Sequence, residues 1–209
     1  MLKDIFHSLA AIPGVQATAD APLSDHTRFG LGGPAAVLAD APEKESFEQA
    51  LRLARSSGYP AAVIGGGTNL IVADEGFPGV VLRYRSDRIA AEENRIGVDA
   101  GADFDTLVRF AAERGLKGLE TMARIPGWVG GAVYGNAGAY GRSVSELVSG
   151  VTATDGHASW IFTGGECEFG YRESVFKRLK DWTILTVVLA MEEGDPAELQ
   201  RVSEEIRRI

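Results

Sequence analysis

Apolar positions along the chain recur with two different periods, and the change of period divides it. Leu2, Ile5, Phe6 and Leu9 repeat at helical spacing, which predicts a short N-terminal helix ended by Pro13-Gly14. Residues 11–25, rich in Ala, Asp and Pro, read as loop. Phe47, Ala50, Leu51 and Ala54 then fall on one helical face, and Gly58 stops that helix. Phe104, Leu107, Val108 and Ala111 repeat the pattern, with Asp103 as N-cap and Gly115 as the stop. Short apolar runs predict strands at about residues 36–39, 61–64, 79–82, 96–100, 148–154, 160–162 and 183–191. The first half thus alternates strand and helix, whereas beyond about residue 145 nearly everything is strand. That mixture predicts an α+β fold in two lobes rather than one doubly wound sheet. Residues 1–22 form an N-terminal helix and loop in this reading, 23–85 the first lobe and 86–194 the second. At 195–209 Asp195-Pro196 open another helix, with Leu199, Val202, Ile206 and Ile209 as its apolar stripe.

Composition narrows the function classes. The 209 residues are 45% hydrophobic and 24% charged, as in an ordinary globular protein. A net charge of -8 leaves no basic footprint for nucleic acid and no polybasic membrane patch. Cys167 is the single cysteine, which excludes an internal disulfide and a cysteine metal cluster. His7, His26 and His157 are too scattered to propose a metal site. The N-terminus has no signal-peptide core, and the longest apolar run, residues 182–191, is too short to span a bilayer. A cytoplasmic protein is expected. Glycine is the anomaly: 26 are present, where average usage gives roughly 15.

Much of that excess is clustered. The first cluster, Gly65-Gly66-Gly67-Thr68-Asn69-Leu70, follows a strand. Its amides could converge into an anion-binding nest, with Thr68 and Asn69 adding side-chain donors; a glycine-rich turn is the plainer alternative. It lacks the third glycine and the following helix of a Rossmann fingerprint, and the Gly-Lys-Ser/Thr of a P-loop. The second cluster runs from Ile125-Pro126-Gly127-Trp128-Val129-Gly130-Gly131-Ala132 through Asn136 and Gly138-Ala139-Tyr140-Gly141. Pro126 suits the start of a short helix. Gly127, Gly131 and Gly135, four apart, then lie on one helical face that a flat ligand or another backbone could approach. Tight packing through small residues is the alternative. Two such clusters in one acidic chain favour a cofactor bearing a pyrophosphate held by main-chain amides. A third string, Thr27-Arg28-Phe29-Gly30-Leu31-Gly32-Gly33, is a turn or a ligand contact. In the last, Gly170-Tyr171-Arg172-Glu173-Ser174-Val175-Phe176, the Arg172 fork either binds a carboxylate or pairs structurally with Glu173 or Glu168.

These four strings, in this order, resemble the UDP-N-acetylenolpyruvoylglucosamine reductase family over about residues 20–209. The resemblance implies a two-lobed FAD-binding fold of the vanillyl-alcohol-oxidase type. It implies NADPH as reductant and the enolpyruvyl ether of UDP-N-acetylglucosamine as acceptor. Gly65 to Leu70 and Ile125 to Ala132, with Val129, Gly130 and Gly131 among them, then line the FAD pyrophosphate and ribityl chain. Asn136, Gly138, Ala139, Tyr140 and Gly141 approach the flavin. Arg172, with Tyr171 beside it, holds the substrate carboxylate and is the catalytic residue. No histidine lies in either main cluster, so FAD is expected to be non-covalent. The implied partner is a small nucleotide sugar, with no nucleic acid or membrane, and the protein a monomer. The family's proton-donating serine string, Gly-Ser-Phe-Phe-Lys-Asn-like, and its later glutamate do not occur in these residues. Residues 195–209 therefore read as the start of a truncated substrate-binding domain, and the chain as a flavin-binding part not competent alone. Another oxidoreductase of the same flavin fold, or a flavin-binding module without turnover, are the alternatives.

Overall fold

The structure, a computed structural model, describes residues 2–209 and divides into two compact units. The first comprises the chain up to Ser86 together with Thr154–Ser159; the second comprises Asp87–Ala153 and Trp160–Ile209.

The first unit contains α1 (Leu2–Ala10), β1 (Gln16–Pro22), β2 (Pro34–Ala41), α2 (Lys44–Ser56), β3 (Ala61–Val63) and β4 (Phe77–Tyr84). Its sheet has the order β1-β2-β4-β3, with β1 antiparallel to β2, and β2 and β3 both parallel to β4. Strand β4 is buried on both faces from Gly79 to Tyr84, as befits a strand covered on each side. Helix α2 lays Phe47, Ala50, Leu51 and Ala54 on β2 and β4, the stripe read from the sequence. Each large apolar side chain so buried contributes about 2 kcal/mol. A further cluster of Ala21, Leu23, Ala35, Leu38 and Val81 gathers Ile64, Val72 and Phe77 around it.

Strand β1 lies where the sequence predicts loop. Its Gln-Ala-Thr-Ala-Asp-Ala-Pro string has no large apolar residue, and almost all of it is exposed or half-buried. It is an edge strand formed by backbone pairing to β2, which side-chain patterning does not report. Residues 154–159 also depart from the expected 86–194 lobe. Arg52 donates to the Gly156 carbonyl and Arg55 to that of Asp155, both at 2.5 Å, and Ser159 Oγ donates to Glu48 at 2.7 Å. Those bonds fix this short segment to α2.

The second unit contains β5 (Ile89–Glu92), β6 (Arg95–Asp99), α3 (Phe104–Glu113), β7 (Leu116–Lys117), α4 (Val129–Tyr134), β8 (Gly138–Ala139) and β9 (Arg142–Ser143). It continues with β10 (Val148–Thr154), β11 (Ser159–Thr163), β12 (Thr183–Ala190), β13 (Glu192–Glu193) and α5 (Pro196–Arg208). The main sheet runs β11-β10-β12-β6-β5, and two small pairs, β13-β7 and β8-β9, complete it. Asp103 caps α3 by accepting from the Thr106 amide at 2.8 Å. Asp195 caps α5, with Pro196 at the first turn.

The last helix, read as the start of a further domain, packs on α3 within this unit. Leu199 and Ser203 are its buried residues, while Ile209, placed on the stripe by its spacing, is exposed. Asp105 of α3 ties it down, accepting from Arg207 at 2.8 Å. Burial alone would raise the Asp105 pKa, but hydrogen bonds from Arg207, the Arg124 amide and Arg109 outweigh it and hold the carboxyl below its ordinary range. Among the described residues no helix is long and apolar enough to cross a membrane.

Candidate functional site

In the second unit the glycine-rich segment is a turn, a short helix and a hairpin rather than one helix. Helix α4 begins at Val129, so Gly127 precedes it and Gly135 caps it; the glycines spaced four apart do not share a helical face. The Gly127 carbonyl accepts from the Phe104 amide at 2.9 Å, which keeps this residue in the preceding turn. Two amides that the sequence reading aims at an anion are held elsewhere. Val129 N–H donates to the Ala102 carbonyl and Gly130 N–H to that of Ala100, each at 2.9 Å. Gly130 is glycine for a packing reason, since a Cβ there would lie 2.8 Å from the Ala100 Cβ. Gly131 is different: it is exposed, and a Cβ there would meet nothing within 4 Å.

Beyond α4, Asn136 adopts φ 42° and the chain enters the β8–β9 hairpin. Ala139 pairs with Arg142 across a two-residue turn of Tyr140 and Gly141, at φ 52° and 77°. Positive φ at both positions matches the right-handed twist of a tight hairpin, at a cost for Tyr140. A second tight turn stands beside it. Gly170 and Glu173 exchange both backbone hydrogen bonds, at 3.0 and 3.1 Å, leaving Tyr171 and Arg172 at the tip. Arg172 has φ 56°, a strained conformation for a side-chain-bearing residue.

Asn136 joins the two turns. Its Nδ2 donates to the Gly170 carbonyl at 2.8 Å, and its Oδ1 accepts from the Ser145 amide at 3.2 Å. Both ends of this buried amide thus have a protein partner, and it links the two turns while lining the cleft. Ser174 Oγ adds a bond to the Tyr134 carbonyl at 2.7 Å. Together the turns enclose an open cleft of about 620 Å³ lined by Asn136, residues 138–143 and residues 169–172.

Arg172 lies on that cleft. Its guanidinium donates to the Gly138 carbonyl at 3.1 Å. The carboxylates proposed as structural partners are engaged by others: Glu173 pairs with Lys177 at 3.2 Å, and Glu168 pairs with Arg178. Lys177 also donates to the Arg172 carbonyl at 2.5 Å, which steadies the tip. Among the described residues, no carboxylate is paired with Arg172. Tyr171 is 91% exposed, with its ring centroid 5.8 Å from the guanidinium carbon. Nearby Cys167 is buried, and burial pushes its thiol up to about 11, so it is no nucleophile at neutral pH.

In the first unit, Gly65-Gly66-Gly67-Thr68-Asn69-Leu70 leaves β3 as an irregular loop in which Gly67 alone is buried and Asn69 is exposed. Gly67 has φ 67°, and a Cβ there would fall 1.8 Å from the His26 carbonyl oxygen. The Arg28 amide donates to the Gly67 carbonyl at 3.1 Å. The Thr27-Arg28 turn is therefore the surface against which the glycine loop is set. Sequence reasoning missed what stands behind it, a cluster of His26, Arg83 and Asp40. It also missed Arg142 and Ser143 on the cleft. The Tyr140-Gly141 turn was the available signal, because a two-residue hairpin returns the next residues to the same wall.

Comparison with known proteins bears on both segments. Residues 35–164 match the family described as FAD binding domain. A UDP-N-acetylenolpyruvoylglucosamine reductase from Solibacter usitatus is 52% identical over 201 residues, covering 96% of this chain and 64% of that protein. The chain thus spans a little under two thirds of that relative's length. The crystal structure of the UDP-N-acetylenolpyruvylglucosamine reductase from Thermus caldophilus superposes with a TM-score of 0.75 at 32% identity, covering 93% of this chain and 68% of that one. An alkyldihydroxyacetonephosphate synthase superposes at 0.65 with 14% identity, over 91% of this chain and 40% of that one, a likeness of fold alone.

Proposed function

The chain belongs to the UDP-N-acetylenolpyruvoylglucosamine reductase family, and from that premise we propose that it is the flavin-binding part of an NADPH-dependent reductase. The acceptor is the enolpyruvyl ether of UDP-N-acetylglucosamine, and the product UDP-N-acetylmuramate, a precursor of peptidoglycan. FAD is held without a covalent bond. The protein acts as a cytoplasmic monomer on a small nucleotide sugar, with neither nucleic acid nor membrane as a partner. The matched FAD binding domain supports the cofactor, and the fold is the α+β, two-unit FAD-binding fold of the vanillyl-alcohol-oxidase type.

The residues fit a flavin dinucleotide with one change from the sequence reading. Gly131 has no packing reason to be glycine, so the space above it is available to a ligand. Val129 is buried and its amide, like that of Gly130, is bonded within the protein, so only the half-buried Gly130 contributes surface. In the second unit, Ile125, Pro126, Gly127 and Ala132 complete the wall assigned to the ribityl chain and pyrophosphate. Gly138, Ala139, Tyr140 and Gly141 are assigned to the flavin ring, and Asn136 to holding that wall. In the first unit, Gly65 to Leu70 are assigned to the pyrophosphate.

FAD held there would supply the hydride transfer from the nicotinamide to the vinyl carbon of the substrate. Of the remaining work, substrate holding and charge stabilisation fall to this chain's own residues, and the proton that completes the reduction would come from a general acid outside the residues assigned here. As hydride arrives, negative charge builds on the carbon bearing the carboxylate and spreads into that group. Arg172 binds the carboxylate through its fork and strengthens its hold as the charge grows, which lowers the barrier. The observation that carries this assignment is a cleft-facing guanidinium fixed by a carbonyl and a strained turn, while both neighbouring carboxylates pair elsewhere. Tyr171 covers the same carboxylate from the exposed side. The test is Arg172→Ala in the full-length enzyme. Turnover should fall roughly 10²–10³-fold, with FAD content unchanged. Lys should rescue poorly, because a point charge does not replace a fork. Undiminished turnover removes the role.

A further inference from the structure

The flavin-binding assignment of Gly65 to Leu70 leaves open what fixes that loop. On the chain, the answer lies behind it. Gly67 abuts the His26 carbonyl with no room for a side chain, and its own carbonyl accepts from Arg28 two residues further on. The position of residues 26–28 therefore sets the position of the loop.

Residues 26–28 are in turn fixed through the His26 ring. Its Nδ1 lies 2.8 Å from Arg83 Nη1. Arg83 is itself buried in β4 and holds Asp40 of β2 with both arms, Nε to Oδ1 at 2.6 Å and Nη2 to Oδ2 at 2.5 Å. Asp40 and Arg83 are register partners in the parallel β2–β4 pair, so the pair is anchored at the centre of the sheet. A guanidinium has donors and no acceptor. The 2.8 Å contact is a hydrogen bond only when Nδ1 is bare, with the ring neutral and its proton on Nε2. A protonated ring would turn an N–H toward the guanidinium and set two cations against each other.

We propose that His26 is a positioning residue that makes the glycine loop sensitive to protons: the neutral ring braces the loop on Arg83 and Asp40, and the protonated ring releases it and weakens FAD. This rests on the assignment of that loop to FAD. Facing the ring are Arg83 and Arg85 from β4 and its end, Asp40 from β2, and Asp25 from its own turn. Burial comes first among the causes and Arg83 second; together they outweigh the two aspartates and hold the ring's pKa below its ordinary 6.5. The sign follows. The folded state takes up its proton at lower pH than the unfolded state, so the brace is complete above 6.5 and is lost only as pH falls through the folded ring's own, lower pKa.

The test uses the 209-residue chain and FAD as the probe. FAD affinity is measured by titration between pH 8 and pH 5, beside hydrogen exchange at the Arg28 amide corrected for its intrinsic rate. Loss of one hydrogen bond to a charged group predicts about tenfold weaker FAD and about tenfold less protection at the low end. His26→Asn keeps an acceptor near the Nδ1 position without a titrating ring, and should flatten both profiles. Profiles that are flat in the wild type, or that keep their slope in H26N, overturn the proposal. The exchange profile stands apart from the cofactor assignment. Absence of FAD binding at every pH would sink that assignment, and Arg28 protection would still report whether His26 braces the loop.

Discussion

The two segments are both rich in glycine and answer to different neighbours. Gly67 in the first unit is shaped by the protein itself, with a carbonyl 1.8 Å from where its Cβ would be and φ at 67°. Gly131 in the second has open space above it and stands within a regular helix. A glycine count cannot tell these apart, because one residue type serves both close backbone approach and clearance for a ligand. The distinction is a prediction about mutants. Substitutions in the first class should damage the fold, and those in the second should spare the fold and damage cofactor binding.

Gly67→Ala is the largest expected effect. The added methyl collides with backbone, which cannot rotate away as a side chain can. Left-handed φ adds a further penalty for any non-glycine residue. With overpacking included, stability should fall by about 3 kcal/mol or more in urea denaturation. A loss below about 1 kcal/mol would mean that the loop moves freely, and the contrast with Gly131 would dissolve.

Helices α2, α3 and α5 were legible because each carries a capping or stop signal beside an apolar stripe. Asp103 and Asp195 both cap as read. Strand β1 was not legible, since its pairing is a backbone property and its side chains are small or polar. The candidate site divides in the same way. Arg172 could be nominated from sequence, but not freed from Glu168 and Glu173, because the partners of those carboxylates depend on where Lys177 and Arg178 point. The amides of Val129 and Gly130 illustrate the converse error. Sequence shows that a glycine-rich backbone is accessible, but not that Ala102 and Ala100 present carbonyls to it. His26 stood alone among polar residues, and its connection to Arg83 and Asp40 spans strands far apart in the chain.

Asn136 probes the cleft at an intermediate scale. Replacement by Ala removes two hydrogen bonds and leaves the Gly170 carbonyl and Ser145 amide without that partner. Stability should fall by about 2 kcal/mol. Asn136→Asp keeps an acceptor for Ser145 but sets a buried carboxylate oxygen against the Gly170 carbonyl, so it should cost at least as much as alanine. A loss in Asn136→Asp clearly smaller than in Asn136→Ala would show that the bond to Ser145, rather than the bond to Gly170 that sets the Tyr171-Arg172 tip, carries the effect.

Gly131→Ala is the smallest expected effect on the fold and the sharpest on the comparison. The residue is helical and its Cβ meets nothing. Alanine should therefore leave stability unchanged or raise it by about 0.5–1 kcal/mol, the usual gain over glycine within a helix. If the space above it belongs to FAD, the same methyl overpacks the bound state at about 1–3 kcal/mol, so FAD affinity should drop roughly tenfold. Urea denaturation of the apoprotein and FAD titration separate the two terms. A stabilised chain with weakened FAD places the cofactor against α4. A destabilised chain would return Gly131 to the packing class of Gly130, and an unaltered FAD affinity would move the cofactor off this helix while leaving the assignment at Gly65 to Leu70 untouched.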